Sequence, residues 1–310
     1  LTSTHRQTYC YCRHSFWFIT HSGYCRIMIV RAPHRWMLGA KFATCFLMLV
    51  PGWIAIWTTT GYLNPLAFTF LWTGAALLMW IAADNYPGVR RHIALAAVSI
   101  PLWWYFEAIN GRTANWQYIG RDRYDDFAYA VFASISFATV VPALAAATAM
   151  IGRFTNGLLE RVSSPDRRDG CSGIAILLIG SGIVCNAATL MAPSVFYPLV
   201  WIAPFLLFDG LVIAAGGHSL VMELSKGIWR RGAVIAGSGL LCGGLWEFWN
   251  FWAFPKWTYD IPLLDFVPVF ELPILGYGGY IPFAWSVVQL VALVDIAARK
   301  FHDRMLAFQG

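Results

Sequence analysis

The chain has 310 residues, 58% hydrophobic and 16% aromatic, and its 12% of charged residues falls far below the roughly 25% of a soluble domain. That deficit, with a mean hydropathy of +0.57, excludes an ordinary water-soluble globule and makes lipid the main solvent. The net charge of +6 does not point to nucleic acid, because no basic patch interleaved with stacking aromatics lies in a loop long enough to hold RNA or DNA.

The apolar runs reach the roughly 20 residues needed to cross a bilayer core. In lipid the backbone must satisfy its own polar groups, so helices or a closed barrel are the choices. The runs are continuous rather than alternating, which selects helices. An all-α integral membrane protein is expected.

In chain order, residues 1–36 come first, rich in Arg, His and Cys and without an acidic residue. They read as a basic cytoplasmic arm or as sequence upstream of a misassigned start, and the second is preferred. Eight spans are expected at 38–60, 66–84, 92–110, 127–151, 173–194, 197–217, 232–252 and 279–298. They group as a four-helix repeat at 37–151, a cytoplasmic linker at 152–172, a second four-helix repeat at 173–298 and a basic cytoplasmic tail at 299–310. Ser163-Ser164-Pro165 gives the linker a turn signal.

Loop charge sets the orientation. Basic clusters follow spans two, four, six and eight: Arg90 and Arg91, then Arg153, Arg161, Arg167 and Arg168, then Lys226, Arg230 and Arg231, then Arg299, Lys300 and Arg304. The opposite loops carry Arg112, Arg121, Arg123 and Lys256. Positive residues mark the cytoplasmic side, so an N-in, C-in protein of a bacterial inner membrane is expected. An even number of spans per repeat makes the repeats parallel, related by an axis along the membrane normal.

The repeats show in the polar residues. Residues 87–110 lie over 227–250 at a constant offset of 140, matching Arg90 with Arg230, Arg91 with Arg231, Glu107 with Glu247 and Asn110 with Asn250. One residue of shift then matches Trp116 with Trp257 and Tyr118 with Tyr259. A further gap matches Asp125 with Glu271 and Phe137-Ala138 with Phe283-Ala284.

Glu107 and Asn110, like Glu247 and Asn250, are three residues apart and share a helix face near the outer interface. Desolvation there disfavours the charged carboxylate. Such a group could act as a general acid, a proton relay or a hydrogen-bond donor. Alternatively, the Glu and Asn side chains hold equivalent helices together by interhelical hydrogen bonds. Trp246, Trp257, Tyr259, Trp116 and Tyr118 surround these pairs. They read as an interfacial aromatic belt or as a ligand wall, since ring faces suit a polyene or a carbocation.

Asp209 lies within span six, where an ionisable residue should face the bundle interior. Its counterpart in the first copy is Thr69 or Phe70. The loop 260–282, with Glu271, Pro268 and Pro273, cannot be one regular helix. Its Glu271, with Asp125, could complete carboxylate pairs with Glu247 and Glu107. The paired arginines read as topology anchors.

Cys10 and Cys12 are too close for the usual zinc hook, and the seven cysteines show no paired metal spacing. Neither a metal nor a structural disulfide is expected. There is no nucleotide motif, metalloprotease motif or nucleophile elbow, so no cofactor is expected.

The second copy resembles the small lycopene cyclase domains of carotenoid biosynthesis and their hydratase-like relatives. Glu247, Asn250, Trp257-Thr258-Tyr259 and Pro268 to Glu271 stand in the order of that family's polar helix end, W-x-Y and proline–acid element. The resemblance implies an acid, Glu271 or Glu247, that protonates a polyene double bond, with tryptophans shielding the cation. Three functions follow as expectations. The first is binding or converting a long hydrophobic isoprenoid, polyene or lipid at the extracytoplasmic half of the bilayer. The others are a proton-coupled secondary transporter using Asp209, and a structural subunit of a membrane complex.

Overall fold

The computed structural model describes residues 11–12, 15–16, 35–155, 171–262 and 266–307. The expectations for most of 1–36, for most of the linker 152–172 and for residues 263–265 of the loop 260–282 fall outside the described residues. Two compact units divide the chain, Leu1–Ala43 and Thr44–Gly310. The first holds strands β1 (Tyr11–Cys12) and β2 (Ser15–Phe16), paired antiparallel, and the start of α1 (Arg35–Thr58). All that follows concerns the second unit.

After α1 come α2 (Asn64–Ala83), α3 (Val89–Thr113), the strand β3 (Trp116–Ile119), α4 (Asp126–Phe137) and α5 (Val140–Phe154). Next are α6 (Cys171–Met191), α7 (Pro193–Phe196), α8 (Leu199–Ala214), α9 (Leu220–Ser225) and α10 (Arg230–Phe251). The chain continues through β4 (Lys256–Tyr259), β5 (Pro268–Val269) and β6 (Leu272–Pro273), then a 3-10 turn, into α11 (Tyr280–Ala307). Local chemistry sets several ends. Pro65 stands in the first turn of α2, where its missing N–H is not needed. Asp125 caps α4, accepting the Ala128 N–H at 2.8 Å. Ala114 ends α3 in the left-handed conformation at φ 54°.

Among the described residues six segments are long and apolar enough to cross a membrane: Gly39–Thr58, Asn64–Ala83, Val89–Thr113, Asp126–Phe154, Gly173–Met191 and Ile274–Lys300. The protein is thus helical and membrane-type, as expected. Of the eight expected spans, α8 has 16 residues and is shorter than the rest, and α10 lies outside the six. The reason for α10 is its place in the core. Its Ser238, Trp246, Glu247, Trp249 and Asn250 are all buried. A helix sheathed by protein need not be apolar.

Glycines set the closest helix contacts, as small residues do within membranes. A Cβ on Gly52 would lie 2.8 Å from the Leu71 nitrogen, and one on Gly74 would lie 2.7 Å from the Leu49 nitrogen, so α1 and α2 nearly touch backbones. Gly182 and Gly210 do the same for α6 and α8, with virtual contacts of 2.8 Å to the Leu207 nitrogen and 2.9 Å to the Ala175 oxygen.

Hydrogen bonds gather the loops into two ends. At one end Asn64 Nδ2 donates to the Phe254 carbonyl at 2.5 Å, Arg123 to the Thr60 carbonyl at 2.8 Å and Tyr197 to the Pro262 carbonyl at 2.8 Å. At the other end Arg153 pairs with Asp84 at 3.1 Å, Arg91 with Asp295 at 2.5 Å and Arg231 with Glu223 at 3.0 Å. Arg91 and Arg231, expected as topology anchors, are therefore also ion-paired between helices.

Candidate functional site

The site is built on two short strands. β3 and β4 pair antiparallel, with Trp116 opposite Tyr259, Gln117 opposite Thr258, Tyr118 opposite Trp257 and Ile119 opposite Lys256. The register continues outward, since the Asp260 N–H donates to the Asn115 carbonyl at 2.9 Å. Each strand is held by the helix before it. Asn110 of α3 donates to the Trp116 carbonyl at 2.8 Å and accepts the Trp116 N–H at 3.2 Å. Asn250 of α10 does the same to Trp257, at 2.7 Å and 2.9 Å. Each amide thus pairs with a strand residue as a neighbouring strand would.

The carboxyl groups one turn earlier hold the rings. Glu107 Oε1 accepts three donors: Trp103 Nε1 at 2.9 Å, Trp116 Nε1 at 3.2 Å and the Tyr118 hydroxyl at 2.5 Å. Glu247 Oε1 also accepts three: the Tyr259 hydroxyl at 2.6 Å, the Tyr280 hydroxyl at 2.7 Å and Trp257 Nε1 at 3.4 Å. Glu247 is fully buried, and its Oε2 has no partner. The expected interhelical bonds between the two Glu–Asn pairs are not what holds them. Each pair bonds to the strand that follows it, and Glu247 reaches α11 as well.

The third donor differs between the halves. The offset of 140 puts Gly243 where Trp103 stands, and the later offset of 146 puts Tyr280 where Ser134 stands. The ring of Tyr280 occupies the space beside Gly243, and a Cβ there would collide with it. An indole on α3 in one half is replaced by a phenol on α11 in the other.

Burial pushes the Tyr118 hydroxyl well above the usual phenol range, and the neighbouring Glu107 carboxyl adds to the effect. Burial and Glu247 do the same to Tyr259. Both phenols keep their protons and stay donors.

These rings wall a cavity of about 410 Å³, within the usual range of small-molecule sites of roughly 300–1,000 Å³. Trp116, Tyr118, Trp246, Trp257 and Tyr259, all expected from the sequence, line it. Asn110, Asn250, Glu107, Glu247, Glu271 and Asp209 do not. The first four stand behind the wall and orient it. Glu271 is ion-paired with Lys256. Asp125 caps α4, so neither it nor Glu271 forms a carboxyl pair with Glu107 or Glu247 through a hydrogen bond.

Asp209 is buried elsewhere. It accepts the Ser219 hydroxyl at 2.5 Å, the Leu220 N–H at 2.7 Å, the Val221 N–H at 3.3 Å and a bond from Gln289. It ties α8 to the start of α9 and to α11. The loop around Glu271 folds as the β5–β6 hairpin, with Phe270 at φ 58° packed on Phe248 and Phe251 at 5.7 Å.

Sequence reasoning missed Tyr280, Trp201 and Asn115 on the wall. Trp201 stacks on Trp116 at 6.0 Å and meets Phe106 at 5.2 Å. The signal for Tyr280 lay in the duplication, as paired large-for-small exchanges. No protein-family model, curated protein or solved structure matches the chain.

The held phenols give a direct check. In detergent, the tyrosinate absorbance gained between about pH 9 and 11, the ordinary phenol range, should be the same for the wild type and a Tyr118→Phe/Tyr259→Phe variant. A smaller gain in the variant would mean that these phenols titrate normally.

Proposed function

We propose that this chain is an eight-span protein of two parallel four-helix repeats, with both termini cytoplasmic in a bacterial inner membrane. In this reading it binds or converts a long hydrophobic isoprenoid or lipid in the cavity, at the extracytoplasmic half of the bilayer. One observation carries the ligand reading: a cavity walled by aromatic rings from both halves of the chain, each set fixed by a carboxyl group, buried for Glu247 and half-buried for Glu107.

The repeat is supported by exchange symmetry. The duplication matches Trp116 with Trp257 and Tyr118 with Tyr259, and Trp116 pairs with Tyr259 while Tyr118 pairs with Trp257. Swapping the halves leaves the ribbon unchanged, as a two-fold axis between Gln117 and Thr258 requires. The glycine contacts obey the same rule. A shift of 130 carries Cys45, Leu49 and Gly52 of α1 onto Ala175, Ile179 and Gly182 of α6. A shift of 136 carries Ala67, Leu71 and Gly74 of α2 onto Ala203, Leu207 and Gly210 of α8. By that shift Thr73, rather than Thr69 or Phe70, stands opposite Asp209.

The orientation is supported by charge. Arg90, Arg91, Arg153, Lys226, Arg230, Arg231, Arg299 and Lys300 belong to the end away from the cavity, which the positive-inside rule makes cytoplasmic. The ligand class is supported by the wall, on which Trp103, Trp116, Trp201, Trp246 and Trp257 offer extended ring surface. The resemblance of the second half to lycopene cyclase domains points the same way.

The exchange between halves is testable by itself. Trp103→Gly and Ser134→Tyr should each destabilise the protein in detergent. The double variant should recover part of the loss, with a coupling of about 0.5–3 kcal/mol between neighbours. Strictly additive melting shifts would remove the support for equivalence. The ligand reading is tested by purifying the chain in mild detergent and identifying co-purifying lipids by mass spectrometry. An isoprenoid retained by the wild type and lost in Trp116→Ala/Trp201→Ala is the expected result. Retention of bulk phospholipid alone, unchanged by the variant, would count against it.

A further inference from the structure

The halves differ at the last span of each. In the first half that span is two helices, α4 and α5, and in the second it is the single helix α11. The break lies where a hydroxyl enters the helical ladder. A continuous helix would carry the Val141 N–H to the Phe137 carbonyl. Here the Val141 N–H donates to Ser99 Oγ at 3.0 Å, and the Ser99 hydroxyl donates on to that carbonyl. Pro142 in turn has no N–H to offer the Ala138 carbonyl. An inserted side chain and a proline both bend helices sharply. The second half has neither at the matching positions. The offset of 140 puts Gly239 at Ser99, and the offset of 146 puts Val288 at Pro142. A Cβ on Gly239 would lie 2.7 Å from Ala284 Cβ and against the Tyr280 carbonyl, so α11 packs closely on the α10 backbone.

The helix before the break is also the less tied. α11 is joined to its neighbours by Tyr280 on Glu247 at 2.7 Å, Trp285 on the Gly232 carbonyl at 3.0 Å, Gln289 on Asp209 and Asp295 on Arg91. α5 is joined by Thr148 to Ser238 at 2.8 Å and by Arg153 to Asp84 at 3.1 Å. Ahead of the break, among the described residues, one side-chain hydrogen bond ties α4 to another helix, from Trp104 Nε1 to Ser134 Oγ at 3.0 Å. Glu247 thus holds α11 through Tyr280, whereas the donors on Glu107 come from α3 and β3.

α4 also stands between the cavity and the surface. Tyr129, Phe132, Ala133, Ser136 and Phe137 share one helical face and line the cavity. Phe127, Val131 and Ile135 on the opposite face are exposed. They belong to a segment long and apolar enough to cross a membrane, so that face is one for lipid.

Resting on the reading of the cavity as a site for a membrane-dissolved ligand, we infer that α4 is a lateral gate. It turns about the break at Ser99 and Pro142 and passes an apolar ligand between the bilayer and the cavity. Hinges of this kind are a few residues at the end of an element, with the element moving as a rigid body. The straight, latched α11 is the fixed wall opposite.

The test uses the full chain in nanodiscs, with its own cysteines replaced by alanine and nitroxide spin labels at Val131 of α4 and Leu177 of α6, both exposed. A reference pair takes Leu47 of α1 with Leu177, on two helices outside the gate. Pulsed electron paramagnetic resonance should give one distance for the reference pair and two for the Val131 pair. Ser99→Gly/Pro142→Val, which gives the first half the residues of the second, should remove the second distance. Trp103→Gly/Ser134→Tyr, which offers Glu107 a phenol from α4, should remove it as well. A single Val131 distance as narrow as the reference would overturn the gate, whatever the ligand and whichever variants fold. A second distance that persists in every variant that folds would overturn the hinge assigned to Ser99 and Pro142. The two readings fail separately: a moving α4 in a chain that retains no added geranylgeraniol keeps the gate and loses the isoprenoid.

Discussion

A single carboxyl oxygen that gathers three ring donors is the interaction on which the rest of the site depends. Indole N–H and phenol O–H groups enclosed by protein need acceptors. Glu107 and Glu247 each supply one oxygen to three of them. Three bonds converging on one atom fix the ring planes, so the aromatic wall has a set shape. The asparagine one turn later fixes the strand bearing two of those rings. A glutamate and an asparagine three residues apart thus control both the backbone and the side chains of the W-x-Y strand.

That arrangement places the acids behind the wall. Between Glu247 and the cavity stand the hydroxyls of Tyr259 and Tyr280, and between Glu107 and the cavity stands that of Tyr118. The surface offered to a ligand is therefore chiefly indole and phenol, rather than carboxylate. The buried Asp209 cluster serves a different end. It accepts the first N–H groups of α9 and joins α8 to α11, which positions the helices that carry Trp201 and Tyr280.

Much of this was legible in the sequence because polar residues are few in an apolar chain. The match of Glu107 with Glu247 and of Trp116 with Trp257 picked out residues that the structure joins by hydrogen bonds at the candidate cavity. Helix type and membrane character followed from the length of the apolar runs. The misses have physical causes. Tyr280 was hidden because its counterpart is Ser134, and only the contact with Gly243 shows that a phenol has taken the place of an indole. Glu271 looked like a candidate acid because its partner Lys256 lies across a turn. Asp209 was expected in the bundle interior and is buried there, but its partners, Ser219 and Gln289, come from a loop and a distant helix. The expected span at 232–252 is the helix α10, and its polar residues are buried in protein.

The most direct measurement is photo-crosslinking of the intact protein in membranes with a diazirine-bearing isoprenoid, followed by mapping of the labelled peptides. Label should concentrate on residues 115–118, 197–202 and 256–259, and an unlabelled isoprenoid should compete it away. Label spread over the lipid-facing surface of α6, unaffected by competitor and sparing those three segments, would contradict the cavity as the ligand site.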